Sequence, residues 1–191
     1  PLPNHLHAKW TLEAVKRGLP VLCEKPLATS AQEAELMLNR SREAGVYVAE
    51  GFMYRHHPQI DALKNLIESG RIGKLSSVGA VFSFYNDDPK ANFLKAEFGG
   101  GSLADVGCYC VDFCRLIAGC EPVRAAAVQT GGEVDLTLAG ALLFANGVVG
   151  QIECSVVNFE RRFARVVGTK GCASLLDPWL GARSAIALEL D

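Results

Sequence analysis

The sequence lacks the features that mark membrane-spanning, secreted and nucleic-acid-binding proteins. No apolar run approaches the roughly 18 residues that a membrane-spanning helix needs. The opening residues are typical of a loop and have no signal-peptide pattern. The 19 basic and 21 acidic residues give a formal net charge of −2, which offers little attraction to nucleic acid or an anionic membrane. With 49% hydrophobic and 21% charged residues, the composition is that of a globular protein without a nucleic-acid or membrane partner.

The cysteines show no spacing typical of a disulfide framework or a zinc site. There are seven, an odd number, and no two of them form a Cys-x-x-Cys pair. Two of them, Cys110 and Cys114, fit an apolar helical stripe. We therefore interpret the cysteines as reduced thiols of a cytoplasmic protein, and we expect small core residues rather than metal ligands. They are Cys23, Cys108, Cys110, Cys114, Cys120, Cys154 and Cys172.

The first fifty residues alternate between helix and strand. Apolar spacing predicts a helix over His7–Arg17, and the short apolar run Leu19–Cys23 is typical of a strand buried on both faces of a parallel sheet. Ser30 and Glu33 form a capping box that predicts the start of a second helix. A second short strand is predicted at Val46–Val48. This α-β-α-β order is half of a doubly wound α/β sheet.

The pattern changes after residue 50. Helices are predicted near Pro58–Glu68 and Leu103–Ile117, separated by a long strand over Leu75–Tyr85. Strands then dominate, and Asn146-Gly147 between two apolar runs is a strong hairpin signal. Residues 51–191 therefore have the α+β pattern of an open antiparallel sheet with helices on one face.

Lys25 is the first candidate for chemistry, because it follows directly after a predicted buried strand. Ligands of doubly wound sheets bind beyond the carboxyl ends of the strands. A lysine at that edge is partly withdrawn from water, which suits it to exchange a proton near neutral pH. Pro26 restricts the backbone of Lys25 and so fixes where the amine points. The alternative is an ordinary salt bridge in a solvated turn.

A second candidate stretch begins with three glycines, Gly99–Gly101, followed by Ser102 at the predicted start of a helix. On that helix Asp105, Tyr109 and Asp112 are spaced by four and three residues and share one face. Two carboxylates and a phenol on one face are suited to bind the hydroxyls of a small polyol. A solvated outer face of the helix is the alternative. The glycines allow close backbone approach, but the Gly-Lys-Ser/Thr ending of a phosphate-binding loop is missing.

Taken together, four motifs resemble one known family. They are Pro-Asn-His-Leu-His at 3–7, Glu-Lys-Pro at 24–26, Glu-Gly-Phe-Met-Tyr-Arg-His-His-Pro at 50–58, and Asp-x-Gly-x-Tyr at 105–109. In this order they resemble the Gfo/Idh/MocA oxidoreductases, and most of all their dihydrodiol and D-xylose dehydrogenase-like branch. The resemblance covers essentially the whole chain. It implies a partial Rossmann domain over 1–50 and a substrate-binding and oligomerisation domain over 51–191.

The resemblance also implies roles for individual residues. Lys25 matches the catalytic lysine, and Tyr109 stands where many members have histidine, as in the dihydrodiol and glucose–fructose branches. Residues matching family positions near NAD or NADP are Asn4, His7, Glu24, Lys25, Pro26, Tyr54 and Arg55. We expect Lys25, Asp105, Tyr109 and Asp112 to bind substrate. An ammonium nearby favours the phenolate form of Tyr109, so either group is expected to relay the proton.

The chain departs from the family pattern in one respect. The Gly-x-Gly-x-x-Gly turn that holds a pyrophosphate is missing, and so is the residue that selects NAD or NADP. We therefore expect an internal piece of a longer protein, truncated also at its C-terminal end and inactive by itself. The hypothesis is hydride transfer between a nicotinamide cofactor and a secondary alcohol of a sugar, polyol or cyclic diol, in a homo-oligomer formed through the open sheet. The alternative is a non-catalytic sheet module for self-association or sugar binding.

Overall fold

The computed structural model describes residues 2–181 and 185–190. Its first part contains two helices and a two-stranded parallel sheet. These elements are α1 (His7–Lys16), β1 (Val21–Cys23), α2 (Ala31–Ala44) and β2 (Val48–Glu50). The predicted α-β-α-β order is confirmed, and β2 lies two residues later than expected. This shift places Glu50 at the end of the strand.

The local signals explain how the two helices are delimited. The Ser30 hydroxyl accepts a hydrogen bond from Glu33 N at 3.2 Å, as the predicted cap requires. The Glu33 carboxylate accepts from Thr29 instead of completing a reciprocal box with Ser30. Gly45 ends α2 with a φ of 64°, in the left-handed region that glycine tolerates.

The prediction that the first strand is buried on both faces is wrong for the described residues. Cys23 of β1 is buried with Ala8 and Met37, from α1 and α2. Leu22 points away from these helices and is 77% exposed. Both helices therefore cover the same face of this small sheet.

The second part consists of two helices and a seven-stranded sheet. Its elements are α3 (Pro58–Glu68), β3 (Leu75–Tyr85), α4 (Cys108–Ala118), β4 (Pro122–Gly131), β5 (Asp135–Phe144), β6 (Val149–Ser155), β7 (Val157–Gly168), β8 (Gly171–Leu175) and β9 (Ile186–Leu190). The strand order is β4-β5-β6-β3-β7-β8-β9. All neighbouring strands are antiparallel except β3 and β6, which are parallel. The predicted fold class is confirmed, with this one parallel pair as a difference.

Helix α4 covers one face of the large sheet and forms the main core with it. Cys110, Phe113 and Cys114 are fully buried there, as the apolar stripe predicted. The predicted hairpin joins β5 to β6, with Gly147 at a φ of 85° and Asn146 Oδ1 accepting from Val148 N at 3.2 Å. No helix among the described residues is long and apolar enough to span a membrane.

Candidate active site

Lys25 lies two residues beyond the end of β1 and reaches across to the start of the helical segment that leads into α4. Its Nζ donates to the backbone oxygen of Asp105 at 2.5 Å and to Asp105 Oδ1 at 3.1 Å. The side chains of Lys25 and Asp105 are only 18% and 27% exposed. The amine thus connects the two parts of the fold at the carboxyl edge of the parallel strands. A solvated salt bridge in an open turn does not describe this arrangement.

The turn that carries Lys25 is held from both sides. The two ring nitrogens of His7 face the backbone oxygens of Pro26 at 2.7 Å and Leu2 at 3.1 Å, and the ring is buried. Glu50 Oε1 accepts from Leu27 N at 2.7 Å. His7 therefore supports the backbone of the turn, and its nitrogens are engaged with protein groups.

The glycine-rich stretch shapes the start of the facing helix. Gly101 has a φ of 115°, and an added Cβ there would lie 2.2 Å from Asp135 Oδ1. Asp135 Oδ2 accepts from the Ser102 hydroxyl at 2.5 Å and from Leu103 N at 2.7 Å. The sequence pattern suggested Ser102 as the cap of this helix, but its hydroxyl accepts from no backbone N–H of the helix, because Asp135 of β5 takes that role. A π-helical turn, Leu103–Gly107, then presents Asp105 to Lys25.

Tyr109 lies in the first turn of α4 within a cluster of aromatic side chains. Four of them have ring centres 5.4, 6.0, 5.5 and 5.9 Å from that of Tyr109: Phe52, Tyr54, Phe82 and Trp179. Lys25 Nζ lies 5.5 Å from the centre of the phenol ring. The structure therefore brings together the two groups that the sequence proposed as catalytic.

The charge state expected for the Tyr109 phenol needs correction. Burial raises the pKa of Tyr109 well above its ordinary value, and the negative groups nearby add to the rise. The hydroxyl donates to Met53 Sδ at 3.4 Å. The phenol therefore keeps its proton and acts as a hydrogen-bond donor, whereas the sequence interpretation favoured phenolate.

Asp112 lies one turn further along α4 and binds two residues of the loop after β2. Its Oδ2 accepts from the Tyr54 hydroxyl at 2.6 Å and from Arg55 Nε at 2.8 Å, and Oδ1 pairs with the second arm of the guanidinium. The carboxylate is 4% exposed, and Tyr54 is buried. Burial and Asp112 also raise the pKa of Tyr54. This geometry does not favour the predicted contacts of Asp112 with substrate and of Tyr54 with cofactor.

A pocket of about 230 Å³ opens in front of Lys25. Predicted site residues make up half of its lining: Asn4, His7, Glu24, Lys25 and Asp105. The amide of Asn4 donates to Gly99 O at 2.9 Å, and Phe98 stacks on His5 with ring centres 5.3 Å apart. These contacts bring the loop between β3 and α4 over the pocket. Pro26 lines a larger cleft of about 910 Å³ between the two parts of the fold.

The cysteines of α4 and β6 do not form a reactive or metal-binding group. Burial raises the pKa of Cys108 and Cys114 to about 12 and that of Cys154 to about 11. Thiols with such pKa values stay protonated and are poor nucleophiles. Within residues 2–181 and 185–190, no group of three or more His, Cys, Asp or Glu side chains is placed to hold a metal ion.

Sequence reasoning missed several residues that shape the site. Phe52 and Met53 lie beside Tyr109. They belong to the motif at 50–58, in which only Tyr54 and Arg55 were assigned roles from the sequence. Trp179, whose indole donates to Val81 O at 3.0 Å, is distant in sequence and carried no signal. Glu50 did carry a sequence signal, because it follows closely after a predicted strand at the edge of the sheet where Lys25 lies.

Comparisons with known protein families show the class of protein to which the chain belongs. Residues 1–52 match the family model described as "Oxidoreductase family, NAD-binding Rossmann fold", and residues 60–174 match the model described as "GFO/IDH/MocA C-terminal domain". The second of these matches alone covers more than half of the chain. It belongs to the Gfo/Idh/MocA family of oxidoreductases.

Individual relatives refine this placement. The chain is 39% identical to D-xylose 1-dehydrogenase (NADP(+)) 2 of Haloferax volcanii, over 90% of this chain and 53% of that protein. It is 36% identical to trans-1,2-dihydrobenzene-1,2-diol dehydrogenase of Oryctolagus cuniculus, over 90% and 52%. A crystal structure of a 3-ketoreductase variant from Actinomadura kijaniata with TDP-benzene and NADP matches with a TM-score of 0.90 at 28% identity, covering 100% of this chain and 60% of that one. The chain thus spans about half the length of the relatives it matches.

Proposed function

We propose that the protein carrying this chain is an NAD(P)-dependent oxidoreductase acting on a secondary alcohol of a sugar, polyol or cyclic diol. The observation that carries the proposal is the placement of the Lys25 amine, 5.5 Å from the Tyr109 ring, at the edge of a parallel strand pair. This is the edge at which doubly wound sheets bind their ligands. The family membership supports the same reaction class.

The pocket in front of Lys25 fits the nicotinamide end of a dinucleotide. It lies beyond the carboxyl end of β1 and offers an amide, a carboxylate and an ammonium, from Asn4, Glu24 and Lys25. Such groups suit the carboxamide and ribose hydroxyls of a nicotinamide nucleoside. Bound in this pocket, NAD(P) supplies or accepts the hydride. NADP is named for two relatives.

Lys25 and Tyr109 would transfer the proton of the substrate oxygen and hold that oxygen in place. The Lys25 ammonium has three donors, and two of them are directed to Asp105. The third is left for the substrate oxygen. During reduction the ammonium would give this proton to the oxygen and become the neutral amine, and during oxidation the neutral amine would take the proton back. The neutral phenol of Tyr109, whose single O–H faces Met53 Sδ in this structure, would turn this donor to the same oxygen when substrate binds. Asp105 orients Lys25, and Asp112 fixes the loop that surrounds Tyr109.

The substrate class follows from the relatives and the lining of the site. The relatives named above act on D-xylose and on a cyclic trans-diol, according to their names. Around Lys25 the pocket offers polar groups, whereas the aromatic rings around Tyr109 are buried in the core. We propose a compound with vicinal hydroxyls, which the polar groups around Lys25 would bind.

Titration with NADPH and NADH, followed by a turnover screen with aldoses, polyols and cyclic trans-diols, tests the function. We expect dinucleotide binding and oxidation of at least one of these alcohols by the protein that carries this chain. Failure to bind either dinucleotide would favour the non-catalytic sheet module instead.

We also propose that the protein self-associates through the open face of the large sheet, and that it acts in the cytoplasm. On that face Val128 is 75% exposed, and Leu143 and Val149 are more than one third exposed. No helix from the described residues covers this surface, which is the opposite one from α4. The cytoplasmic location is supported by seven free cysteines, the state that a reducing compartment maintains.

A further inference from the structure

We propose that Glu50 is a positioning residue for the Lys25 amine, acting through the hydrogen bond that its carboxylate accepts from the Leu27 backbone. The inference rests on the oxidoreductase function proposed above. Glu50 Oε1 lies 2.7 Å from Leu27 N. Pro26, between Lys25 and Leu27, has no backbone N–H. Leu27 therefore supplies the first backbone donor after the lysine that can tie the turn to the sheet.

Glu50 is well placed to anchor this turn because it belongs to a rigid element. It is the last residue of β2 and pairs in register with Cys23, the last residue of β1. Gly51 N donates to Cys23 O at 2.6 Å and extends the pairing by one residue. The carboxylate therefore projects from the sheet beside the strand from which Lys25 emerges. A site built on a strand end is more accurately placed than one on a free loop.

The turn has four anchors, and each fixes a different atom. Asp105 holds the tip of the Lys25 side chain, and His7 faces Pro26 O. Glu50 holds Leu27 N, and the Cys23 thiol donates to Leu27 O at 3.8 Å. Without the Glu50 contact, the backbone after Lys25 would be held only at the oxygens of Pro26 and Leu27. Because a misplacement of about 1 Å can lower a rate by roughly a hundredfold, this anchor matters for catalysis.

The electrostatic surroundings indicate that the contact is the reason for a carboxylate at this position. Burial raises the pKa of Glu50, and the Leu27 hydrogen bond is the leading contact that opposes the rise. Asp112 adds to the rise, whereas Arg55 and Arg115 oppose it. An apolar side chain would fill the space without this desolvation cost. The hydrogen bond to Leu27 N therefore explains why a carboxylate occupies this position.

Three substitutions at position 50 and one matched control test the inference by steady-state kinetics. Glu50→Leu removes the acceptor, Glu50→Gln retains an acceptor oxygen of the same reach, and Glu50→Asp keeps the charge but is one carbon shorter. Glu33→Leu is the control, because Glu33 accepts from Thr29 N at 3.1 Å in the same loop, two residues beyond Leu27.

We expect Glu50→Leu to lower kcat by at least about tenfold while KM for the dinucleotide changes little. Glu50→Gln and Glu33→Leu should stay near the wild-type kcat. Glu50→Asp should show the same direction of effect as Glu50→Leu, and it carries the test if Glu50→Leu does not fold.

Hydrogen–deuterium exchange at the Leu27 amide gives a readout that does not depend on turnover. We expect exchange to be at least about tenfold faster in Glu50→Leu and unchanged in Glu50→Gln, because the amide exchanges only when its hydrogen bond opens. Three outcomes would each overturn the positioning role and leave the oxidoreductase proposal intact. They are a wild-type kcat in folded Glu50→Leu, a loss of kcat in Glu50→Gln equal to that in Glu50→Leu, and the same loss in Glu33→Leu. An inactive wild-type protein would overturn the oxidoreductase proposal and, with it, this inference.

Discussion

At the scale of single residues, our proposal gives Lys25 a proton that it transfers and Tyr109 a proton that it keeps. The Lys25 ammonium is held by Asp105 and keeps one donor for the substrate. The phenol of Tyr109 sits among aromatic rings and retains its hydrogen because burial raises its pKa. The two proposed roles differ, and substitutions should separate them.

Lys25→Met should lower kcat by at least about a hundredfold, the usual contribution of a general acid or base. Dinucleotide affinity should change much less, because other side chains also line the pocket. Lys25→Arg is the informative companion: it keeps a cation beside Asp105, but a guanidinium does not release its proton. Lys9→Met, at an exposed position of α1, controls for loss of a lysine. Undiminished kcat in Lys25→Met would remove this residue from the mechanism.

Tyr109→Phe should lower kcat by about a hundredfold through loss of one donor to the substrate oxygen. The pH profile gives an independent check. Because the pKa of Tyr109 is raised, kcat of the wild-type protein should show no loss that tracks phenol ionisation near pH 10, the ordinary value. A fall near pH 10 that disappears in Tyr109→Phe would mean that the phenol ionises there, contrary to our expectation.

At the scale of secondary-structure elements, α4 organises the site through the residues on its polar face. Asp112 binds Tyr54 and Arg55 and so ties the loop after β2 to the helix, while Arg115, one turn further along, pairs with Glu121 at the surface. In the Arg55–Asp112 pair the carboxylate is buried, whereas in the Arg115–Glu121 pair it is exposed. This contrast allows the structural value of the buried contact to be measured.

Asp112→Asn should lower the free energy of unfolding by about 1–3 kcal/mol, because a buried charged hydrogen-bond acceptor is lost. Glu121→Gln breaks the matched exposed pair and should cost less than about 1 kcal/mol. Urea unfolding of the two variants and the wild type provides the comparison. Equal losses would show that the burial of Asp112 adds nothing to the strength of its contacts.

The elements themselves were largely predictable, because capping signals and glycine stops lie within a few residues of the boundaries they set. Ser30, Gly45 and the Asn146-Gly147 turn all lie where the structure uses them. Contacts between distant segments were not predictable from local patterns, and the proximity of Lys25 and Tyr109 was expected only from the family resemblance. The pairing of Asp135 with the helix start and the packing of Trp179 on Tyr109 join residues with no shared local pattern. For the same reason, Asp112 was assigned to substrate when its partners come from the loop after β2.

At the scale of the whole molecule, the large sheet has two unequal faces. Helix α4 and the main core cover one of them, and the other presents small side chains on adjacent strands. Ala126 and Ala141 lie opposite each other on β4 and β5 and are exposed. Small residues on an uncovered sheet surface permit close approach of a second copy. This surface is therefore where the self-association proposal is tested.

Ala141→Glu should convert the oligomer to a monomer, since two-fold packing of this face would bury the new charge. Light scattering coupled to size-exclusion chromatography measures the mass. Asn39→Glu, which adds the same charge on exposed α2, is the control and should leave the mass unchanged. An unaltered oligomer in Ala141→Glu would place the interface elsewhere.

The parallel pairing of β3 with β6 has a consequence for the way the protein is made. Strand β3 ends at Tyr85, yet its two neighbours, β6 and β7, begin only at Val149 and Val157. During translation both long edges of β3 therefore wait unpaired until more than sixty further residues have left the ribosome. Such late, long-distance closure slows folding and leaves a nascent strand open to unwanted partners, so synthesis of this domain should depend on chaperones more than a sheet assembled from successive hairpins would.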